Sequence, residues 1–187
     1  MENPITLKTP LKEGDVRELK AGDPVLVSGT IYTARDLVHK LLFEKMPDEL
    51  KIPLNGSIIY HCGPIIKNNR IISAGPTTSI REEPYEAELI RHYGIGAIIG
   101  KGGMGEKTMR ALIENGAVYL AATGGAGALL ADSIKEIKSV RFEEFGVPEA
   151  MYELIVRDFP AIVAMDSHGR SLYDEILEES RRNMEKL

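Results

Sequence analysis

The sequence holds one cysteine and no tryptophan in 187 residues, and only 6% of its residues are aromatic. A single thiol, Cys62, forms no internal disulfide, and structural zinc or an iron–sulfur cluster takes several thiolate or imidazole ligands. Any metal must therefore come largely from another chain. An excess of positive charge is missing as well. Lys and Arg total 23 against 28 Asp and Glu, a net charge of -5, so neither nucleic acid nor an anionic membrane is an expected partner. No apolar run nears the roughly 20 residues of a membrane-spanning helix, and the opening MENPITLKTP lacks the charged and apolar regions of a secretion signal. A cytoplasmic protein is expected.

What is present is ordinary for a globular protein: 43% hydrophobic and 27% charged residues. The length suits one domain over residues 1–187, with no repeat, linker or low-complexity tract to divide it. Residues 5–8 predict a short strand, 11–20 a surface helix closed by Gly22, and 24–31 a strand rich in β-branched residues. Leu37, Val38, Leu41 and Leu42 recur at helical spacing, predicting a helix over 34–46 that Pro47 ends. Two β-like runs, 57–61 and 70–74, read as adjacent strands. Pro84 sits where a first helical residue should, in a helix that continues over 85–93 to Gly94. Strand 97–99, helix 106–114, strand 117–121 and helix 125–134 then alternate as in α/β units. Strand-like runs return at 139–145, 151–156 and 161–165 before a helical tail over 172–186. The pattern predicts a three-layer α/β domain with a mixed sheet.

The stretch Gly100-Lys101-Gly102-Gly103-Met104-Gly105 follows a strand and opens a helix, matching the letter of a dinucleotide fingerprint. No acid stands at the end of the next strand, around Leu120 to Thr123, to hold a ribose, and no phosphate loop exists. What remains is a place where a small anion can approach backbone N–H groups at a helix start, with Lys101 beside it. The plainer alternative is a solvated lysine among turn glycines. A second glycine run, Thr123 to Ala128, is better explained by close strand–helix packing with Thr123 or Gly124 as N-cap, although it can line the same pocket.

The loop from Gly75 to Arg81 carries Thr77, Thr78, Ser79 and a guanidinium able to grip a carboxylate bidentately. Spacing alone does not make Thr77 catalytic, because hydroxyls after strands usually cap helices or close turns. Arg35 opens a helix, where the dipole prefers an anion. Either a bound anion or a salt bridge to Asp36 or Glu44 answers that mismatch. His39, His61, His92 and His168 show no metal-ligand spacing and are expected to be structural or exposed.

Together, Ser28 to Asp36, Gly75 to Arg81, Ile98 to Gly105 and Ala164 to Gly169 resemble the β subunit, or C-terminal domain, of class I iron–sulfur fumarate hydratase and of L(+)-tartrate dehydratase. The resemblance spans nearly the whole chain. It implies a swivelling β/β/α domain and a partner α subunit, in an α2β2 assembly, that carries a 4Fe-4S cluster on three cysteines. It implies reversible dehydration of a small dicarboxylate, L-malate to fumarate, or of tartrate in the related branch. By that resemblance Arg35, Arg81 and Lys101 bind the dicarboxylate and Thr77 is the catalytic base. A threonine hydroxyl is a weak base unless cations stabilise its alkoxide, and Arg81 and Lys101 are the candidates for that service. The contrasting expectation is a non-catalytic subunit that binds a small acid or serves assembly.

Overall fold

The computed structural model describes residues 3–45 and 50–186. Nine strands are joined by six α-helices in the described residues: β1 (Ile5–Lys8), α1 (Glu13–Arg17), β2 (Pro24–Ala34), α2 (Asp36–Glu44), β3 (Ile58–His61), β4 (Ile65–Lys67), β5 (Arg70–Ser73), α3 (Glu83–Tyr93), β6 (Ala97–Gly100), α4 (Glu106–Asn115), β7 (Val118–Ala121), α5 (Gly127–Asp132), β8 (Ile134–Arg141), β9 (Met151–Met165) and α6 (Leu172–Met184). Short 3-10 turns cover Ser79–Glu82 and Glu143–Phe145.

The main sheet is mixed, in the order β1-β2-β3-β6-β7-β9-β8. β1, β2, β3, β6 and β7 run parallel to one another, while β9 is antiparallel to β7, β2 and β8. Because β9 pairs with both β2 and β7, the ring β2-β3-β6-β7-β9 closes on itself. Side-chain alternation splits the core in two, as the period of a strand requires. Ile58, Tyr60, Ala97, Ile99, Val118 and Leu120 join one buried cluster with Val16 of α1 and Leu130 of α5. Their neighbours Ile59, Ile98 and Tyr119 join a second cluster against α2, α3 and α4, through Val38, Leu42, Ile90 and Leu112. Central strands buried on both faces explain why these runs are almost wholly apolar.

Several expectations are corrected. Residues 57–61 and 70–74 are not partners: β3 lies between β2 and β6, and β5 forms a separate hairpin with the three-residue β4. The helix expected over 11–20 shortens to five residues. The helix expected over 125–134 gives way to β8 at Ile134, which lengthens the strand expected at 139–145 and ends it at Arg141. The runs 151–156 and 161–165 are one strand of 15 residues. Its polar middle is accommodated by a register shift opposite Val27 and Gly29, with Asp158 at φ 51° and its N–H bonded to Ser28 Oγ. The helix expected over 34–46 is observed from Asp36 to Glu44; its expected end at Met46 and Pro47 lies outside the described residues.

Candidate active site

Parallel strands place their carboxyl ends on one side, and the predicted residues collect there. Ala34 of β2 pairs with His61 of β3, Tyr60 with Ile99 of β6, and Gly100 with Ala121 of β7. Arg35 follows β2 and Lys101 follows β6. The Gly75 to Ser79 segment lies as a short rung between the two strand ends. Thr77 N–H donates to the His61 carbonyl at 2.7 Å, Lys101 N–H to the Thr77 carbonyl at 3.2 Å, and Ser79 N–H to the Lys101 carbonyl at 3.0 Å. Thr77 and Lys101 are thus backbone neighbours. Arg81, in the following 3-10 turn, reaches back with Nη2 3.6 Å from Asp36 Oδ1, beside Arg35. All four predicted residues lie at the carboxyl ends of β2, β3 and β6 or in the loop bonded to them.

The groups differ in how they are engaged. Thr77 Oγ1 is buried with no hydrogen-bond partner. The hydroxyls of Thr9, Ser57 and Ser167 are in the same state, so what sets Thr77 apart is its cationic surroundings. The Lys101 stem passes 3.5 Å from where a Cβ on Gly124 would sit, and among the described residues its ammonium has no ion-pair partner. Arg35 Nε lies 3.1 Å from Glu149 Oε1, an ion pair without hydrogen-bond alignment, and Leu37 N–H donates to Glu149 Oε2. The anion that the start of α2 calls for is therefore Glu149, not Asp36 or Glu44.

The glycine loop after β6 is corrected in the same way. Glu83 fills the start of α4, accepting from the N–H groups of Gly105 (2.8 Å), Lys107 (3.0 Å) and Thr108 (3.2 Å) and from Thr108 Oγ1 (2.7 Å). An internal carboxylate occupies the helix terminus, so an outside anion must be held by side chains instead. In the second glycine run the N-cap is Ala126 rather than Thr123 or Gly124. Close packing does explain Gly127, where a Cβ would collide with Ser73 Oγ and the backbone of Gly75.

Beneath the cluster lies a buried polar network that includes His39 and His61, two of the histidines expected to be structural or exposed. His39 Nδ1 is 2.9 Å from the Arg35 carbonyl, and its Nε2 is 3.0 Å from Glu86 Oε2. His61 Nε2 is also 3.0 Å from Glu86 Oε2, while its Nδ1 is 2.9 Å from Ser79 Oγ, which accepts from Tyr119 Oη at 2.8 Å. Burial by itself would raise the Glu86 carboxyl, but the two imidazoles outweigh it and hold it down at about 2. Burial likewise opposes charge on His39, yet Glu86 and Glu82 raise it to about 9, whereas His61 is pushed down by burial. The result is an imidazolium, a carboxylate and a neutral imidazole in a row. Next to them Glu82, 1% exposed, is pushed up to about 8 by burial and by the Asp36 carboxyl against it.

Among the described residues, His39, His61 and Glu86 also form a group with three metal-type ligand atoms within 4.8 Å. Each of those residues is already hydrogen-bonded within the network. The donor set for an iron–sulfur cluster is absent: the one cysteine, Cys62, is 1% exposed, and burial pushes its thiol up to about 12. A cluster needs several accessible thiolates, so the residues of this chain do not fit one. Two clefts of about 580 and 670 Å³ lie elsewhere, beside Ile137 and Tyr152 and beside Pro53 and His92, and contain none of the four residues. No helix among the described residues is long and apolar enough to cross a membrane.

The fourth motif behind the resemblance is placed differently. Asp166, fully buried, accepts from the N–H groups of Ala21 (2.9 Å), His168 (3.0 Å) and Arg170 (3.0 Å). Met165, just before Asp166, pairs with Tyr119 near the start of β7, whereas Gly100, just before Lys101, pairs with Ala121 at the end of β7. This turn braces the opposite end of the sheet.

Residues 1–176 match the family described as Fumarase C-terminus. The chain belongs to that family. It is 38% identical over 175 residues to the L(+)-tartrate dehydratase subunit beta of Escherichia coli, covering 90% of this chain and 86% of that one. A Methanocaldococcus jannaschii protein, provisionally named L(+)-tartrate dehydratase subunit beta, is 49% identical over 174 residues, covering 89% of each. A Geobacillus stearothermophilus protein, provisionally named fumarate hydratase class I, is 51% identical over 188 residues. That match covers 98% of this chain but 35% of the relative, so the chain spans about a third of that longer protein.

Proposed function

We propose that this chain is the β subunit of an iron–sulfur-dependent hydro-lyase that interconverts L-malate with fumarate and water, with the 4Fe-4S cluster on a separate α subunit. The observation that carries the reading is the convergence of Arg35, Thr77, Arg81 and Lys101 at the strand ends, with Thr77 Oγ1 buried and unpartnered. Dehydration of a 2-hydroxy dicarboxylate needs cations to hold two carboxylates, a base for the C3 proton and a Lewis acid for the departing hydroxyl. Arg81 and Lys101 flank Thr77 and suit one carboxylate, and Arg35 suits the other. Thr77 Oγ, as alkoxide stabilised by those cations, takes the C3 proton. The Lewis acid is assigned to the partner because this chain has one buried cysteine. The half-exposed Arg81 side chain agrees with a half-site that a second subunit completes.

The same reading takes residues 1–187 as one cytoplasmic, swivelling β/β/α domain of three layers within an α2β2 assembly. The two core clusters on either side of a closed strand ring favour that description. A tartrate substrate is the second reading, favoured by the tartrate dehydratase names of the relatives nearly coextensive with this chain. The test is to assemble the chain anaerobically with its cluster-bearing partner and compare kcat/KM for L-malate and L-tartrate. Preference for malate is expected. Preference for tartrate overturns the substrate assignment, and binding of either acid without turnover supports a non-catalytic subunit.

A further inference from the structure

The two arms of the cation cluster come from segments far apart in sequence. Arg35 caps α2, whereas Thr77 and Arg81 belong to the loop after β5. Besides the 3.6 Å Arg81–Asp36 ion pair, a single carboxylate oxygen joins them through hydrogen bonds. The Arg35 carbonyl only accepts, so His39 Nδ1 carries the proton of their 2.9 Å hydrogen bond. His39 Nε2 then donates to Glu86 Oε2 at 3.0 Å, and His61 Nε2 donates to the same oxygen at 3.0 Å. On the far side the Ser79 hydroxyl, already accepting from Tyr119, donates to His61 Nδ1, while the His61 carbonyl accepts Thr77 N–H. His61 thus holds the Thr77 to Ser79 segment at two points, one by backbone and one by ring.

We propose that Glu86 is a positioning residue of this site: through His39 it fixes the Arg35 arm and through His61 the Thr77–Arg81 arm, setting the spacing between the cations that receive the two carboxylates. Three further observations support it. His39, His61 and Glu86 are each fully buried, so the bonds are shielded from water that would otherwise compete. Gly100, first glycine of the Lys101 loop, has no room for a side chain because a Cβ would collide with Ser79 Oγ and lie 3.0 Å from Tyr119 Oη and 3.2 Å from His61 Nδ1. The loop bearing the third cation is therefore fitted to the same network. Finally, Glu82 stands next to Arg81 in sequence and 3.6 Å from His39 Nδ1, with its carboxyl against Asp36, which faces Arg81. Arg81 and Arg35 thus both lie beside the polar side chains Asp36, Glu82 and His39.

A dicarboxylate held at both ends is a bivalent ligand, and its advantage over a monocarboxylate disappears when the two sites are no longer at the matching distance. The inference rests on reading the cluster as a dicarboxylate clamp, and the experiment separates the two. In the assembled, cluster-loaded enzyme, inhibition constants are measured for succinate and for propionate. If the wild-type enzyme does not favour succinate, the clamp reading fails and takes this inference with it. Given that preference, Glu86→Gln is expected to raise the succinate constant about tenfold or more while leaving propionate within about twofold. On an Arg35→Ala background the same change is expected to add little, as for two residues acting through one path. Unchanged succinate binding, or equal weakening of both acids, overturns the proposal, as does a stoichiometric transition metal in the wild-type chain that Glu86→Gln abolishes. Should Glu86→Gln fail to assemble, Ser79→Ala cuts the His61 arm alone and is read by the same two constants.

Discussion

The two ends of the sheet carry loops of similar composition with opposite fates. At the Asp166 end, one carboxylate takes three backbone N–H groups and His168 Nε2 meets the Arg17 carbonyl at 2.8 Å, so these polar groups are spent on the chain itself, while the Ser167 hydroxyl beside them is buried without a partner. At the Thr77 end, a buried hydroxyl has no partner, Lys101 has no ion-pair partner among the described residues, and Arg81 meets Asp36 only at 3.6 Å. Sequence motifs from both ends support the family resemblance equally. What separates the two is the gathering of Arg35, Arg81 and Lys101 around the Thr77 end, since a buried unpartnered hydroxyl is found at both.

Substitutions at the two ends should therefore split between activity and stability. Thr77→Ala in the assembled enzyme is expected to lower kcat by about 100-fold or more, the usual worth of a positioned base, with little change in melting temperature. Near-normal turnover would refute the base assignment. Lys101→Ala and Arg81→Ala should each reduce kcat/KM for malate by about 10- to 100-fold, the worth of a charged hydrogen bond, which steady-state kinetics reads directly. Asp166→Ala should do the reverse, costing about 2 kcal/mol in denaturant unfolding through its orphaned N–H groups while leaving kcat/KM nearly unchanged. His168→Ala, at the exposed rim of that end, should change stability by less than about 0.5 kcal/mol.

The buried network behind the site adds a pH signature. His39 is raised from 6.5 to about 9, so its contribution to stability is complete below pH 6.5 and is lost as pH rises through 9. Glu82 is raised from 4.5 to about 8, so the folded chain holds a proton there that the unfolded chain has released, and stability again falls as pH rises. Both act in the same direction between pH 6.5 and 8. Melting temperature should decline across that window, and Glu82→Gln should flatten the decline; a rising or flat profile in the unsubstituted chain contradicts these protonation states.

Strongly patterned elements were legible in the sequence. The β6–α4–β7 succession and the Pro84 to Gly94 helix are found within a residue or two of expectation, because apolar periodicity, an early proline and a left-handed C-cap glycine, Gly94 at φ 64°, are local signals. β9 was not, since the polar Arg157 and Asp158 interrupt its apolar run, and they sit in an irregularity, with Asp158 at φ 51°, between two segments that both pair with β2. The four candidate residues were drawn only from a family pattern; spacing alone favoured none of them as catalytic. Glu149, Glu83 and the His39–Glu86–His61 network escaped because their partners lie on other elements. One local signal existed for the network: Glu86 sits among Ala87, Leu89 and Ile90 on the buried side of its helix, where a carboxylate needs a partner.

The most direct test of the central claim is L-malate turnover in an anaerobic mixture of this chain with the cluster-bearing subunit, omitting each component in turn. Activity confined to the complete mixture is the predicted result. Turnover by either chain alone, or an undiminished rate when the wild-type chain is replaced by Thr77→Ala, would contradict it.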